Sequence, residues 1–140
     1  MAGARVGYMI AQPGVTRMIN KCFMPYHMNV LTLAAADVVY QMRDEFVPRL
    51  QMIIAERKRM DERLKTLPGV EVFPSEANFI LIRLEAAQEL KDYLETLGIG
   101  IRYFSPSAFG LKNCLRISIG TRTENDEVFS AIKSFLEAGQ

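Results

Sequence analysis

The chain has 140 residues, 49% of them hydrophobic and 24% charged, which suits one domain able to bury about two thirds of its unfolded surface without disulfide or metal staples. Seventeen Lys and Arg against sixteen Asp and Glu leave a formal net charge of +1. That balance excludes the electrostatic footprint of a nucleic-acid or anionic-membrane partner, so any anion site must come from a few placed arginines.

Val6 to Ala11 is a short apolar run stopped by Pro13-Gly14, and it reads as a buried strand because it leaves no room for three helical turns. It is also too short for a signal-peptide core or a membrane span, as is Val30 to Tyr40, which carries Thr32 and Asp37. Val15, Met18, Ile19 and Cys22 repeat at helical spacing until Met24-Pro25-Tyr26-His27 breaks the helix. A second helix presents Leu31, Ala34, Ala35, Val38 and Met42. The longest element is expected from about Asp44 to Leu67, with an apolar stripe of Phe46, Leu50, Ile53, Ile54, Met60 and Leu64 and with Pro48 as a kink or a fresh start. Its solvated face offers Glu45 to Arg49 and Asp61 to Lys65 at i,i+4.

From Val70 the pattern changes. Val70 to Phe73 alternates, Pro74-Ser75-Glu76 turns, and Asn78 to Leu84 is rich in strand formers. A helix with Leu90, Tyr93, Leu94 and Leu97 stops at Gly98, a natural C-terminal cap position. Ile99 to Phe104 and Cys114 to Ile119 read as two further strands separated by the loop Ser105 to Asn113. Thr123 followed by Asp126 resembles a capping box opening a last helix with Val128, Phe129, Ile132, Phe135 and Leu136. The order from Val70 is strand, strand, helix, strand, strand, helix, an α/β set able to pack helices on one sheet face.

The two cysteines, Cys22 and Cys114, lack metal-ligand spacing and fall in apolar-periodic segments, so buried thiols in a reducing, cytoplasmic compartment are expected. His27 is the only histidine and stands without a second ligand, which leaves it a structural or solvent-facing role and no metal site. No serine sits in a Gly-x-Ser-x-Gly turn, and Gly3-Ala4-Arg5-Val6-Gly7 has the wrong spacing for a dinucleotide or Walker loop. What remains is three arginines beside or within apolar strand segments: Arg5, Arg102 and Arg116. A guanidinium there is costly unless it reaches water or an anion, and its planar fork matches the oxygens of a carboxylate or phosphate in pairs.

The chain resembles the type I fold aminotransferases, especially their histidinol-phosphate branch. The resemblance rests on Met1-Ala2-Gly3-Ala4-Arg5-Val6-Gly7-Tyr8, on Pro25-Tyr26-His27-Met28-Asn29 before an alanine-rich helix, and on Pro74-Ser75-Glu76-Ala77-Asn78-Phe79. It rests further on Gly98-Ile99-Gly100-Ile101-Arg102 and on Leu115-Arg116-Ile117-Ser118-Ile119-Gly120-Thr121 with Glu124-Asn125-Asp126. These segments stand in the family's order over essentially the whole chain.

The resemblance implies the family's C-terminal small domain, a mixed sheet with helices packed on one face. A long interdomain helix would precede it, so that residues 1–43 are a remnant of the large pyridoxal-phosphate domain and 44–140 the connecting helix plus small domain. It implies pyridoxal 5'-phosphate as cofactor, amino-acid and 2-oxo-acid substrates, 2-oxoglutarate among them, and a homodimer. By the same resemblance Arg5 would hold the cofactor phosphate, Arg116 the substrate's carboxylate, and Arg102 the phosphate of a phosphorylated substrate. Asn78 matches a family position near the cleft, with a turn or strand start as the other reading, and Tyr8 is given a sheet-packing role. The family's Schiff-base lysine lies a few residues before the segment at Gly3, and Lys21, Lys58, Lys65, Lys91, Lys112 and Lys133 all stand in unlike surroundings. The expectation is therefore a piece of an aminotransferase that does not transaminate alone. The alternative is a stand-alone α/β module that binds a carboxylate or phosphate through Arg102 and Arg116.

Overall fold

The computed structural model describes residues 5–24, 27–107 and 109–139, and the chain divides into two units, 1–47 and 48–140. Residues 1–4 and the pair Pro25-Tyr26, which carry parts of the family-like segments, lie outside the described residues.

In the first unit, helix α1 spans Pro13–Asn20 and helix α2 spans Val30–Gln41. Pro13 opens α1, where its missing N–H costs nothing. The Asn29 side chain caps α2 by accepting from the N–H of Thr32 at 2.8 Å. Val6 to Ala11 is not the buried strand expected: no ladder forms, and Tyr8 and Ile10 are 92% and 90% exposed. A strand needs a neighbour for its backbone groups, and no strand is described in this unit for it to join. Cys22 is likewise exposed, because α1 buries none of its residues. His27 stacks on Phe23 with ring centroids 4.7 Å apart, and its Nδ1 donates to the Met24 carbonyl.

Residues Arg43–Phe46 form a 3₁₀ turn, after which helix α3 runs over Val47–Leu64. Pro48 is therefore a fresh start at the second position of the helix, not a kink. The apolar stripe of α3 divides along its length. Met60 and Leu64 are buried in the core, whereas Phe46, Leu50 and Ile54 are exposed. Asp61 and Lys65 pair as the spacing predicts.

Four strands follow, β1 (Glu71–Val72), β2 (Phe79–Arg83), β3 (Arg102–Phe104) and β4 (Cys114–Ser118), together with α4 (Ala87–Thr96) between β2 and β3 and α5 (Arg122–Ala138) at the end. The sheet order is β1-β2-β4-β3 and every pairing is antiparallel. The mixed sheet is thus corrected to an antiparallel one, and the reason is the place of β4. β2, α4 and β3 form a crossover whose two strands run the same way, but β4 lies between them and turns one parallel pairing into two antiparallel ones. Alternation then sorts the side chains. Ile80, Ile82, Leu115 and Ile117 face inward and join Met60, Leu64, Leu90, Leu94 and Ile132 from the three helices in one core.

The two ends of the helical layer are fastened by local chemistry. α4 closes in a Schellman motif: Gly98 stands at φ +75°, its N–H donates to the Glu95 carbonyl at 3.0 Å, and the Ile99 N–H reaches the Leu94 carbonyl at 2.9 Å. α5 opens in a capping box two residues earlier than the sequence pattern suggests, with Thr121 and Glu124 in place of Thr123 and Asp126. Glu124 accepts from the Thr121 N–H at 2.7 Å, which holds its carboxyl below the usual range. Thr123 lies inside the first turn and Asp126 serves another purpose described below. Gly98→Ala would meet no atom within 4 Å, so its expected loss of about 1 kcal/mol or more is a backbone penalty that Gly98→Asn shares only in part; urea unfolding of both variants checks it.

Candidate active site

Register places two of the predicted arginines together. Arg102 on β3 and Arg116 on β4 are direct partners across the ladder, and so their side chains rise from the same face of the sheet, opposite the helices. The inward neighbours of Arg116, Leu115 and Ile117, are buried; Arg116 is half-buried and Arg102 exposed. Like charges directly opposite each other repel. Neither guanidinium has a carboxylate partner among the described residues, so two forks are left available to one anion. Each lies over an aromatic ring of the same face, Arg116 5.3 Å from the centroid of Phe79 and Arg102 5.4 Å from that of Phe104. This sheet face is open. The cavity of about 550 Å³ among Glu71, Arg83, Gly110 and Lys112 contains neither arginine, and the chemistry, not the concavity, marks the site.

Two mounts fix Arg116. The first sets the start of β2. The Ser75 hydroxyl donates to the Phe79 carbonyl at 2.6 Å and accepts from the Ala77 N–H, while Arg57 of α3 donates to the Ala77 carbonyl at 3.0 Å and pairs with Glu76 at 2.7 Å. The Asn78 carbonyl accepts from the Ile119 N–H, which ties this turn to the end of β4. Asn78 stands in the bend that precedes β2.

The second mount sets the turn from β4 into α5. Asn125, 2% exposed, brackets Gly120: its Oδ1 accepts from the Gly120 N–H at 3.0 Å and its Nδ2 donates to the Gly120 carbonyl at 3.1 Å. The same Nδ2 reaches Oε2 of Glu56, a carboxylate of α3 that is 7% exposed. Glu56 in turn accepts from Arg59, and Arg59 and Arg63 both bind Asp126. A side chain at Gly120 would begin 2.6 Å from a carboxylate oxygen of Glu124 and would push that side chain from its place in the capping box. The bonds from Arg59 and Asn125 hold the Glu56 carboxyl below its ordinary value despite burial, and those from Arg59 and Arg63 do the same for Asp126. Sequence reasoning missed Glu56, although 56, 60 and 64 share one helical face and an acid on the stripe of Met60 and Leu64 signals a buried partner. It also missed Phe79 and Phe104, which carry no signal apart from the register.

Arg5 belongs to the first unit. It is exposed, stands at φ +54°, and makes no ion pair or side-chain hydrogen bond among the described residues. Tyr8 does not pack on a sheet; with Val6, Gly7, Val39, Tyr40 and Phe46 it lines an apolar cavity of about 680 Å³ within this unit. Among the described residues no group of three His, Cys, Asp or Glu side chains is placed to hold a metal, and no helix is long and apolar enough to cross a membrane.

Comparison with known proteins bears directly on these arginines. The family model for aminotransferase class I and II matches residues 1–132. The chain belongs to that family. This aminotransferase chain is 39% identical over 135 residues to a histidinol-phosphate aminotransferase of Chromobacterium violaceum, covering 96% of the chain and 38% of the relative. A histidinol-phosphate aminotransferase structure from Sinorhizobium meliloti in complex with pyridoxal-5'-phosphate superposes with a TM-score of 0.77 at 26% identity, over 100% of this chain and 39% of that one. The L-threonine-O-3-phosphate decarboxylase structure from Porphyromonas gingivalis gives 0.70 at 28%, over 91% and 40%. The chain spans a little over a third of the length of the curated relatives it matches. The family is pyridoxal-phosphate dependent, and the described residues fit only one part of that group. Arg5, exposed and without an ion pair among the described residues, has the charge that a phosphate needs; of the lysines, Lys21, Lys58, Lys65, Lys112 and Lys133 are exposed, and Lys91 is paired with Glu95.

Asn125→Ala should cost about 3 kcal/mol in chemical unfolding, because it strips a buried carboxylate and a buried turn of their partners at once. Glu56 and Asp126 titrate lower in the folded chain than in the unfolded one. Their contribution is therefore complete above the ordinary carboxylate range and is lost as pH falls through their lowered values. Unfolding midpoints measured from pH 7 down to pH 3 should show that loss in the wild type and a smaller one in Asp126→Asn; identical pH slopes would contradict the assignment.

Proposed function

We propose that these 140 residues contribute the substrate's anion grip to a pyridoxal-phosphate-dependent aminotransferase, one that moves an amino group between an amino acid, histidinol phosphate in the first place, and a 2-oxo acid such as 2-oxoglutarate. The observation that carries this reading is the direct opposition of Arg102 and Arg116 on an uncovered sheet face. Arg116, the more buried of the two, takes the carboxylate of the amino-acid or 2-oxo-acid partner with a bidentate pair and, with histidinol phosphate, which has no carboxylate, shares the phosphate; either grip fixes the direction of the C–H bond beside the amino group, a proximity effect worth on the order of 5 kcal/mol of barrier. Arg102, at the sheet's edge strand, adds its fork when the anion is a phosphate with a third oxygen to satisfy. Similarity to relatives named for a phosphorylated substrate supports that second role.

Arg5 in this reading holds the cofactor phosphate, with no ion-pair partner among the described residues to give up. Residues 1–43 belong to the large cofactor domain and 44–140 to the connecting helix and small domain. The division of the chain after Val47 supports that line, as does the interruption of the helical run by the 3₁₀ turn. A homodimer in a reducing cytoplasm goes with this assignment. Its support is the apolar surface of the first unit, where Tyr8, Ile10, Leu31 and Met24 are more than three-quarters exposed, and the two cysteines that form no disulfide. In this reading no lysine of these residues serves as the Schiff-base group, since none stands in a segment like the family's Ser-Lys motif.

Purified as it stands and supplied with pyridoxal phosphate, the 140-residue chain should give no turnover of histidinol phosphate with 2-oxoglutarate; measurable product would refute the assignment of the lysine. In the same protein, titration with phenyl phosphate and with benzoate should show Arg116→Met weakening both anions more than tenfold. Arg102→Met should weaken the phosphate ester several times more than the carboxylate, and equal effects would remove its separate role.

A further inference from the structure

On the open face of the sheet, Phe79, Arg116, Arg102 and Phe104 form a continuous row, ring, guanidinium, guanidinium, ring, running from the start of β2 to the end of β3. The two rings are half-buried, and the cations between them are cross-strand partners with no carboxylate paired to either among the described residues. An arginine side chain on a sheet ordinarily samples many rotamers, and two like charges side by side would drive these apart. A ring 5.3 Å from Arg116 and 5.4 Å from Arg102 limits the first tendency and accommodates the second: its negative face attracts the cation, and its plane gives the flat fork a surface to lie on. The rings stand at the outer ends of the row, so each draws its guanidinium outward and leaves a gap between the two forks where an anion's oxygens can enter.

We propose that Phe79 and Phe104 are positioning residues that seat Arg116 and Arg102 for anion binding. This inference rests on the reading of the arginine pair as the substrate's anion site, and it adds what sets the aim of that pair. Phe79 has the stronger mount, because its own carbonyl is held by Ser75 and the preceding residues by Arg57. Phe104 is followed directly by the loop that begins at Ser105. The seat of Arg116 is therefore built into the domain's frame and that of Arg102 into the edge of a loop.

The test uses the 140-residue chain labelled with ¹⁵N, with inorganic phosphate as probe and the Nε–Hε signals of Arg102 and Arg116 as a local readout. In the wild type both Hε protons should show ring-current shifts, and phosphate should move both. Phe79→Leu should release the shift of Arg116 alone and Phe104→Leu that of Arg102 alone. Each leucine should weaken phosphate binding about two- to fivefold, and tyrosine at either position should restore both shift and affinity. Leucine variants that bind as the wild type does would overturn the proposal, as would tyrosine variants no better than leucine, which would reduce the rings to packing. A wild-type chain whose arginine signals ignore millimolar phosphate would overturn the anion-site reading itself, and the seats with it.

Discussion

A single buried carboxylate organises the 48–140 unit. Glu56 lies in the face of α3 that otherwise carries Met60 and Leu64 into the core, and a charge there is tolerable only because Arg59 and Asn125 saturate it. That requirement ties three separate elements together. Arg59 extends the cluster to Asp126 on α5, and Asn125 extends it to both backbone groups of Gly120, the hinge between β4 and α5. Apolar packing is non-directional, whereas these bonds are directional and fix where β4 ends relative to α3.

The functional face inherits this accuracy at one remove. Arg116 sits four residues before Gly120 and opposite a strand whose start is clamped by Arg57, so both ends of its neighbourhood are attached to α3. Arg57 and Glu56 are adjacent in sequence, which means one turn of one helix fastens the beginning of β2 and the end of β4. The family-like segments Pro74 to Phe79 and Leu115 to Asp126 are these two attachments. Their residues look like site residues in the sequence, yet most of them hold the site's support and do not face its ligand.

Much of this was legible in the residues alone. The order of elements from Val70, the stop of α4 at Gly98 and the α/β class followed from spacing and turn chemistry, because those signals are local, whereas Pro48 stood open between a kink and a fresh start. Sheet order was not legible. Nothing in the period of β2, β3 or β4 says which of them lies between the others, and the mixed sheet was expected for that reason. The first unit misled in a different way. Val6 to Ala11 has the composition of a buried strand, but burial is supplied by neighbours, and composition records only the demand for them. The α5 cap was missed by two residues because Thr121 and Thr123 are both followed at the right spacing by an acid, and only the backbone decides between Glu124 and Asp126. The arginines stood out early, but their being partners across a ladder is a fact of register and had to come from the structure.

The placement of β4 has a consequence for how the chain comes off the ribosome. β2 and β3 are synthesised first and run the same way, yet neither meets the other; each has an open edge until the strand that separates them emerges, some ten residues after β3. Until then the nascent domain carries unpaired backbone edges flanked by aliphatic side chains, the kind of surface that recruits other chains. Closure depends on a strand made after both, so this unit passes through its most association-prone stage just before the two cationic strands are brought side by side.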